Sequence, residues 1–345
     1  MIQEAIKILI QGKNLTCDES FVAMKSIMNG EATAAQIGSF ITALRIKGET
    51  IDEITGCAIA MRDKAEPIEL EIDYFTDTCG TGGDGANTLN ISTAAAFVAA
   101  AGGVPVAKHG NRSISSKCGS ADVLEALGVN IALTPSQVKK CIEKTKMGFM
   151  FAPAFHKSMK YAAGPRRELG IRTIFNILGP LTNPAHAKGQ VLGIFDRELT
   201  GPVANVLSNL GITNAMVIHG HDGMDEITIT GPTKVSELKN GKIIEYEITP
   251  EDFGLNRADA YEISGGDPME NANIIKAVFN GAKGPKRDVV VLNAAAALYV
   301  GQAAESLKEG VRIAQELIDS GKAAAKLEEV KMVSFMDCPG TEKVQ

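Results

Sequence analysis

The 345-residue chain contains no tryptophan, and aromatic residues make up only 5% of it, which leaves little material for stacking nucleic-acid bases. Cysteines at 17, 57, 79, 118, 141 and 338 are scattered, with no CxxC pair. That spacing argues against a zinc site and against a disulfide framework, and suits a reducing cytoplasm. Basic residues are not in excess: 35 Lys and Arg stand against 41 Asp and Glu, for a net charge of −6. No global field recruits nucleic acid or an anionic membrane, so an anionic ligand must be held by local groups. No apolar run approaches the roughly 20 residues that span a bilayer. The start, Met1-Ile2-Gln3-Glu4, shows no basic segment leading into an apolar stretch, so no signal peptide is expected. Internal repeats and low-complexity linkers are also missing. What is present is 45% hydrophobic residues, enough for two domains or one domain with a subdomain.

The first 66 residues read as helices. Ile2, Ala5, Ile6, Leu9 and Ile10 follow helical spacing, and Gly12 can end that stretch. Capping boxes follow at Thr16 and Glu19, Thr33 and Gln36, and Thr50 and Glu53. Near Tyr74 the pattern changes to short apolar runs alternating with helical stretches. Strands are expected over Tyr74–Thr78, Val104–Lys108, Phe149–Ala152, Gln190–Phe195 and Ala215–His219. Helices are expected over Thr93–Ala101, Ala121–Leu127, Pro135–Lys146 and Gly201–Leu210. This alternation predicts an α/β domain with a mostly parallel sheet. Asn240-Gly241, between Lys234–Leu238 and Ile243–Ile248, is a hairpin signal and makes the sheet mixed. An Ala-rich helical stretch, Leu292 to Leu327, closes the chain.

Gly80-Thr81-Gly82-Gly83-Asp84-Gly85 lies between an expected strand and an expected helix. Successive backbone N–H groups there, with a helix N-terminus, can form an anion site; a glycine-rich turn with no ligand is the bland alternative. The spacing fits neither the dinucleotide fingerprint nor a P-loop. Thr88, Asn90, Ser92 and Thr93 follow closely. One or two of them are explained as helix caps, but four in six positions suit phosphate or a hydrated metal better. Lys108-His109-Gly110-Asn111-Arg112-Ser113 follows a second expected strand, so both segments would meet at one edge of the sheet. Lys108 and Arg112 can neutralise phosphate, while His109 reads equally well as structural.

Together these motifs resemble the anthranilate phosphoribosyltransferase family of tryptophan biosynthesis. The resemblance rests on Asp77–Asp84, Asn90–Thr93, Lys108–Arg112, Gly119–Asp122, Arg167–Thr173, Asn176–Pro184 (NILGPLTNP), His219-Gly220 and Asp225-Glu226, in one order along nearly the whole chain. It implies a small N-terminal helical domain, residues 1–72 joined by about 164–186. It also implies a larger α/β domain, 73–163 and 187–345, with a central mostly parallel, mixed sheet of the nucleoside phosphorylase/phosphoribosyltransferase kind. A cytoplasmic homodimer joined through the helical domains is implied as well. The reaction implied is transfer of phosphoribose from 5-phosphoribosyl 1-diphosphate to anthranilate. The implied donor site is Gly80, Gly83, Asp84, Thr88, Asn90, Ile91, Ser92, Thr93, Lys108, His109, Gly110, Asn111, Arg112, Ser113, Ser116 and Ser120. Ser92, Asp225 and Glu226 match the family's metal positions, with two Mg²⁺ per subunit; without the family match, Asp225-Glu226 would read as an acidic loop.

Gly80, Asn111, Arg166, His156 and Tyr161 are the implied anthranilate contacts. Arg166 and Arg167 are both candidates for the carboxylate, and register with the family selects Arg166. The chain departs from the commoner pattern at Cys118, where serine is usual, and at Gly164-Pro165 before the arginines. Displacement at ribose C1 with inversion needs no general base, because the aromatic amine already carries its lone pair, and none is assigned. Three other readings remain at this point: a pyrimidine nucleoside phosphorylase of the same architecture, a non-catalytic nucleic-acid-binding relative, and a binding protein for a phosphorylated metabolite.

Overall fold

The computed structural model describes residues 2–113 and 117–336. Four helices come first: α1 (Ile2–Leu9), α2 (Cys17–Met28), α3 (Ala34–Lys47) and α4 (Ile51–Arg62). Each of the last three starts on one of the capping boxes read from the sequence, with Thr16, Thr33 and Thr50 accepting from the backbone N–H three residues on. The α/β part follows as β1 (Thr76–Gly80), α5 (Ile91–Ala101), β2 (Val106–Gly110), α6 (Ser120–Ala126), α7 (Pro135–Thr145), β3 (Met147–Phe151) and α8 (Ala152–Phe155). The chain then crosses through α9 (Lys160–Leu169) and α10 (Phe175–Leu178) before β4 (Gly189–Gly193), α11 (Thr200–Asn209), β5 (Asn214–Gly220), β6 (Thr233–Lys239) and β7 (Lys242–Ile248). It finishes with α12 (Pro268–Phe279), α13 (Pro285–Val300), α14 (Leu307–Asp319) and α15 (Lys322–Ser334).

The sheet order is β3-β2-β1-β4-β5-β6-β7, parallel from β3 to β5 and antiparallel beyond. The chain winds outward to one side through β2 and β3, then returns to place β4 on the other side of β1. That makes β1/β4 the switch point, where the carboxyl ends of the strands open into a crevice. One core joins α5, six of whose eleven residues are alanine and all but Ser92 and Ala101 buried, to α13, α14 and α15. A second core joins α1–α4 to α11, β4 and β5, and takes in Ala162, Ile174, Phe175 and Leu178 from the crossing segment.

Two expectations are corrected. The first two strands run two residues later than the sequence suggested, to Gly80 and Gly110. Gly80 and Gly110 look like strand breakers, yet they stay in register with Gly193 and Phe151. His109 is therefore a strand residue rather than a loop residue, and Lys108 lies in mid-strand rather than at the strand's end. The single helical stretch from Leu292 to Leu327 is three helices, interrupted after Gly301, at Gln302 (φ 63°), and at Gly321 (φ 76°). Among the described residues, no helix is long and apolar enough to cross a membrane.

Candidate active site

Gly80 ends β1, and the loop after it turns through Gly82 and Gly83, both with positive φ (67° and 76°). A Cβ at Gly80 would overlap the Asp225 carboxylate, and one at Gly193 on β4 would overlap the Asp225 backbone. Both glycines are required because the chain after β5 presses into the switch point. There Asp225, 8% exposed, accepts from the Gly82 N–H at 2.6 Å. Glu226 accepts from the Ser92 N–H at 3.1 Å, at the N-terminus of α5. The expected metal residues Ser92, Asp225 and Glu226 are thus brought together against the glycine loop.

The acidic pair is under electrostatic load. Burial pushes the Asp225 carboxyl well above the usual range, and nearby Asp84 pushes it further. Burial, then Asp225, raises Glu226. Lys108, 2% exposed, is the local counter-charge; its ammonium donates to the Thr78 carbonyl and to Ser92 Oγ at 3.3 Å. The donors here are all oxygens, which suits Mg²⁺. No group of three or more His, Cys, Asp or Glu converges to hold a metal alone among the described residues. That too fits Mg²⁺, which usually takes one or two carboxylates and completes its shell with water and substrate phosphate.

The polar run before α5 does not act as a cap. Asn90 stands at the N-cap position without a side-chain cap bond. Its amide donates to the Cys118 carbonyl (3.0 Å) and accepts from Cys118 Sγ (3.2 Å) and Asn271 Nδ2 (2.9 Å). The thiol at position 118 is thus part of the bonding around Asn90. Thr88 forms an isolated antiparallel bridge with Ser264. Ile91 and Thr93 are both buried, 1% exposed each, although lying two positions apart sets them on opposite sides of α5, because that helix is packed on nearly all sides. The Ile91 N–H already donates to the Leu89 carbonyl at 2.8 Å, so of the two only the Thr93 amide is left to serve a ligand.

The second segment divides. Gly110 must lack a side chain, since Ser120 Oγ and the Phe149 ring occupy that space, and Ser120 Oγ donates to the Asn111 carbonyl at 3.2 Å. Arg112 is spent on α6, pairing with Asp122 (2.8 Å) and Glu125 (2.5 Å), while the Ser113 N–H donates to Asp122 at 3.0 Å. Ser116 lies outside the described residues. His109 and His156 are both buried, with ring centroids 5.0 Å apart. Each ring lies against the backbone of the NILGPLTNP segment, at Gly179 and Thr182 respectively. Each Nε2 has no partner among the described residues. Asn183 completes the attachment, donating to Asp77 Oδ2 (2.8 Å) and the Ala107 carbonyl (2.9 Å).

Burial, above all, lowers His109 to about 3 and His156 to about 4. Both stay neutral in the folded chain while an unfolded chain protonates them, so stability is full above pH 6.5 and falls as pH drops toward those values. Each is expected to cost about 1.4 kcal/mol between pH 7.5 and 5.5. Urea unfolding of His156→Gln beside the parent should show a pH slope smaller by that amount; an identical slope would contradict it. The acidic pair's own pH dependence is common to both proteins and cancels.

On the crossing segment, Gly164-Pro165 sits inside α9 without ending it. Arg166 is half-buried, lies over the Phe175 ring at 4.9 Å, and has no carboxylate partner among the described residues. Arg167 is exposed. Tyr161 sets its ring against Gly30 of the helical bundle, where a Cβ would not fit.

Two features escaped the sequence reading. Arg172 Nη2 donates to the Gly83 carbonyl at 2.6 Å. Residues 263–271 buttress the loop from the other side, through Leu89 N–H to Ile263 O (3.3 Å), Gly265 N–H to Asn87 O (2.9 Å) and Asn271. The Asp267-Pro268…Glu270 capping box was a readable signal for α12.

The glycosyl transferase family α/β domain matches residues 73–324, and the glycosyl transferase family helical bundle domain matches residues 3–65. Anthranilate phosphoribosyltransferase from Acetivibrio thermocellus is 67% identical over 329 residues, covering 95% of each chain. The crystal structure of anthranilate phosphoribosyltransferase from Thermus thermophilus superposes with a TM-score of 0.91 at 44% identity, covering 96% of this chain and 99% of that one. The Saccharomyces cerevisiae enzyme in complex with PRPP and Mg gives a TM-score of 0.88 at 29% identity, covering 96% and 97%.

Proposed function

The chain belongs to the anthranilate phosphoribosyltransferase family, and from that premise we propose how its residues perform the reaction. It transfers the phosphoribosyl group of 5-phosphoribosyl 1-diphosphate (PRPP) to anthranilate, giving N-(5-phosphoribosyl)anthranilate and diphosphate in tryptophan biosynthesis, and it uses magnesium. The observation that carries the residue assignment is the closure of Asp225 and Glu226 onto Gly82 and Ser92 at the switch point.

The amides of Gly83 to Gly85 and of Thr93 at the α5 N-terminus form the phosphate cradle, since those of Thr81, Gly82, Ile91 and Ser92 already donate to protein acceptors, with Gly80, Asp84 and Thr88 around it. Ser92, Asp225 and Glu226 would hold magnesium, two ions per subunit. Bound magnesium neutralises the charge that develops on the departing diphosphate. Lys108 holds Ser92 in place and balances Glu226. Arg166 takes the anthranilate carboxylate, aided by Asn111, and His109 and His156 shape the wall through the Gly179–Thr182 backbone. Holding the amine near C1 contributes by proximity, and no residue is needed to remove a proton before attack.

We assign residues 1–72 with 164–186 to the helical division; Ile174, Phe175 and Leu178 in the bundle core support the second segment, whereas Ile68, Leu70 and Ile72 pack with Ala107 and Val138 of the α/β part. A homodimer joined through this bundle fits the exposure of Ile10 (70%) and Ile46 (82%) on its surface. Free Cys17, Cys57, Cys79, Cys118 and Cys141 suit the cytoplasm. To test the reading, the purified chain is given anthranilate and PRPP with Mg²⁺, and separately uridine and inorganic phosphate. Phosphoribosylanthranilate from the first and no uracil from the second is expected. Uracil release without the first product would replace this reading by the phosphorylase.

A further inference from the structure

Arg172 takes no part in the roles above. It follows the left-handed Gly170 that ends α9, and its side chain is exposed. Its guanidinium lies over the Phe195 ring at 4.5 Å while Nη2 donates to the Gly83 carbonyl at 2.6 Å. No carboxylate pairs with it among the described residues. The loop it touches has glycine at 82, 83 and 85, with φ of 67°, 76° and 73°. Such a loop has few side chains of its own to fix it and much freedom to lose on binding. Its shape must be imposed from outside.

The other anchors come from the α/β side: Thr81 N–H to the Gly193 carbonyl (3.0 Å), Phe195 N–H to Thr81 Oγ1 (3.1 Å), and Gly82 N–H to Asp225. Arg172 alone among these reaches the loop from the crossing segment, two residues before Ile174, which lies in the bundle core. A charged donor makes a stronger bond than a neutral one, and the ring beneath holds the guanidinium plane in place.

We infer that Arg172 is a positioning residue that latches the phosphate loop through the Gly83 carbonyl and so pre-organises it for PRPP. This rests on the reading of that loop as the PRPP site. Pre-organisation lowers the ordering cost of binding, so its loss falls on the affinity for PRPP.

The test uses the full chain as parent, Arg172→Ala, Arg172→Lys and Phe195→Leu, with kcat and both KM values measured and hydrogen exchange followed at residues 81–86. R172A is expected to raise the PRPP KM about tenfold, with the anthranilate KM unchanged. Exchange at Gly82–Gly85 should quicken in R172A while the rest of the molecule keeps its protection. R172K keeps a donor but loses the planar stack, and F195L loses the ring, so both should fall between. An unchanged PRPP KM and unchanged loop exchange, with an active parent, would overturn the latch and leave the function standing. A rise confined to the anthranilate KM would overturn it too, by making Arg172 an acceptor contact. An inactive parent would sink the functional reading, while loop exchange would still decide whether Arg172 holds the loop.

Discussion

Asp225→Asn is expected to lower kcat/KM about a thousandfold and to raise the melting temperature of the magnesium-free protein. The first effect follows from position. The Asp225 carboxylate sits in a notch that only Gly80 and Gly193 leave open, bound to Gly82 N–H at 2.6 Å. An amide there keeps the shape and one acceptor but loses the charge that would draw magnesium to the leaving group. The second effect follows from the raised pKa of Asp225 and Glu226, which burial causes first and the neighbouring carboxylates add to. A carboxyl whose folded pKa lies above its unfolded one stabilises the fold at low pH, and that stability is lost as pH rises through the folded value. At pH 7 and above the metal-free chain therefore carries a repulsion that Asn removes. The gain in melting temperature, measured in EDTA, should be larger at pH 8 than at pH 6. Activity and melting temperature falling together would mean that Asp225 is structural.

Arg166→Gln is expected to raise the KM for anthranilate about a hundredfold and leave the KM for PRPP unchanged. Arg166 is half-buried, so burial lowers its pKa, and no protein carboxylate offsets its charge among the described residues. The Phe175 ring at 4.9 Å holds the guanidinium plane, which a ligand carboxylate can meet with two parallel bonds. Lysine cannot reproduce that geometry, so Arg166→Lys should recover little. The parent should prefer anthranilate over aniline, which lacks the carboxylate, and the variant should lose most of that preference. If the variant discriminates between the two as the parent does, Arg166 does not bind the carboxylate.

Local features were the most legible in the sequence. The boxes at Thr16, Thr33 and Thr50 depend on residues three apart, and each starts a helix as written. The parallel sheet with its hairpin at Asn240-Gly241 was readable for the same reason. Strand ends were not, because the pairing of Gly80 with Gly193 joins positions far apart in the chain. The same limit applied to individual side chains. Nothing near Arg112 in the sequence shows that Asp122 and Glu125 claim its charge, and nothing near Asn90 points to Asn271. Arg172 was visible only as one residue of a motif, since its partner Gly83 lies 89 positions away.

The central claim is that this chain joins PRPP to anthranilate through charge neutralised at the Asp225–Glu226 site. The most direct measurement follows anthranilate fluorescence in the purified protein with PRPP, first in EDTA and then with Mg²⁺ restored. Loss of fluorescence that needs PRPP, stops in EDTA and resumes with Mg²⁺ is the predicted result. Persistent fluorescence from folded protein with both substrates and Mg²⁺ would contradict the claim, and so would loss that continues undiminished in EDTA.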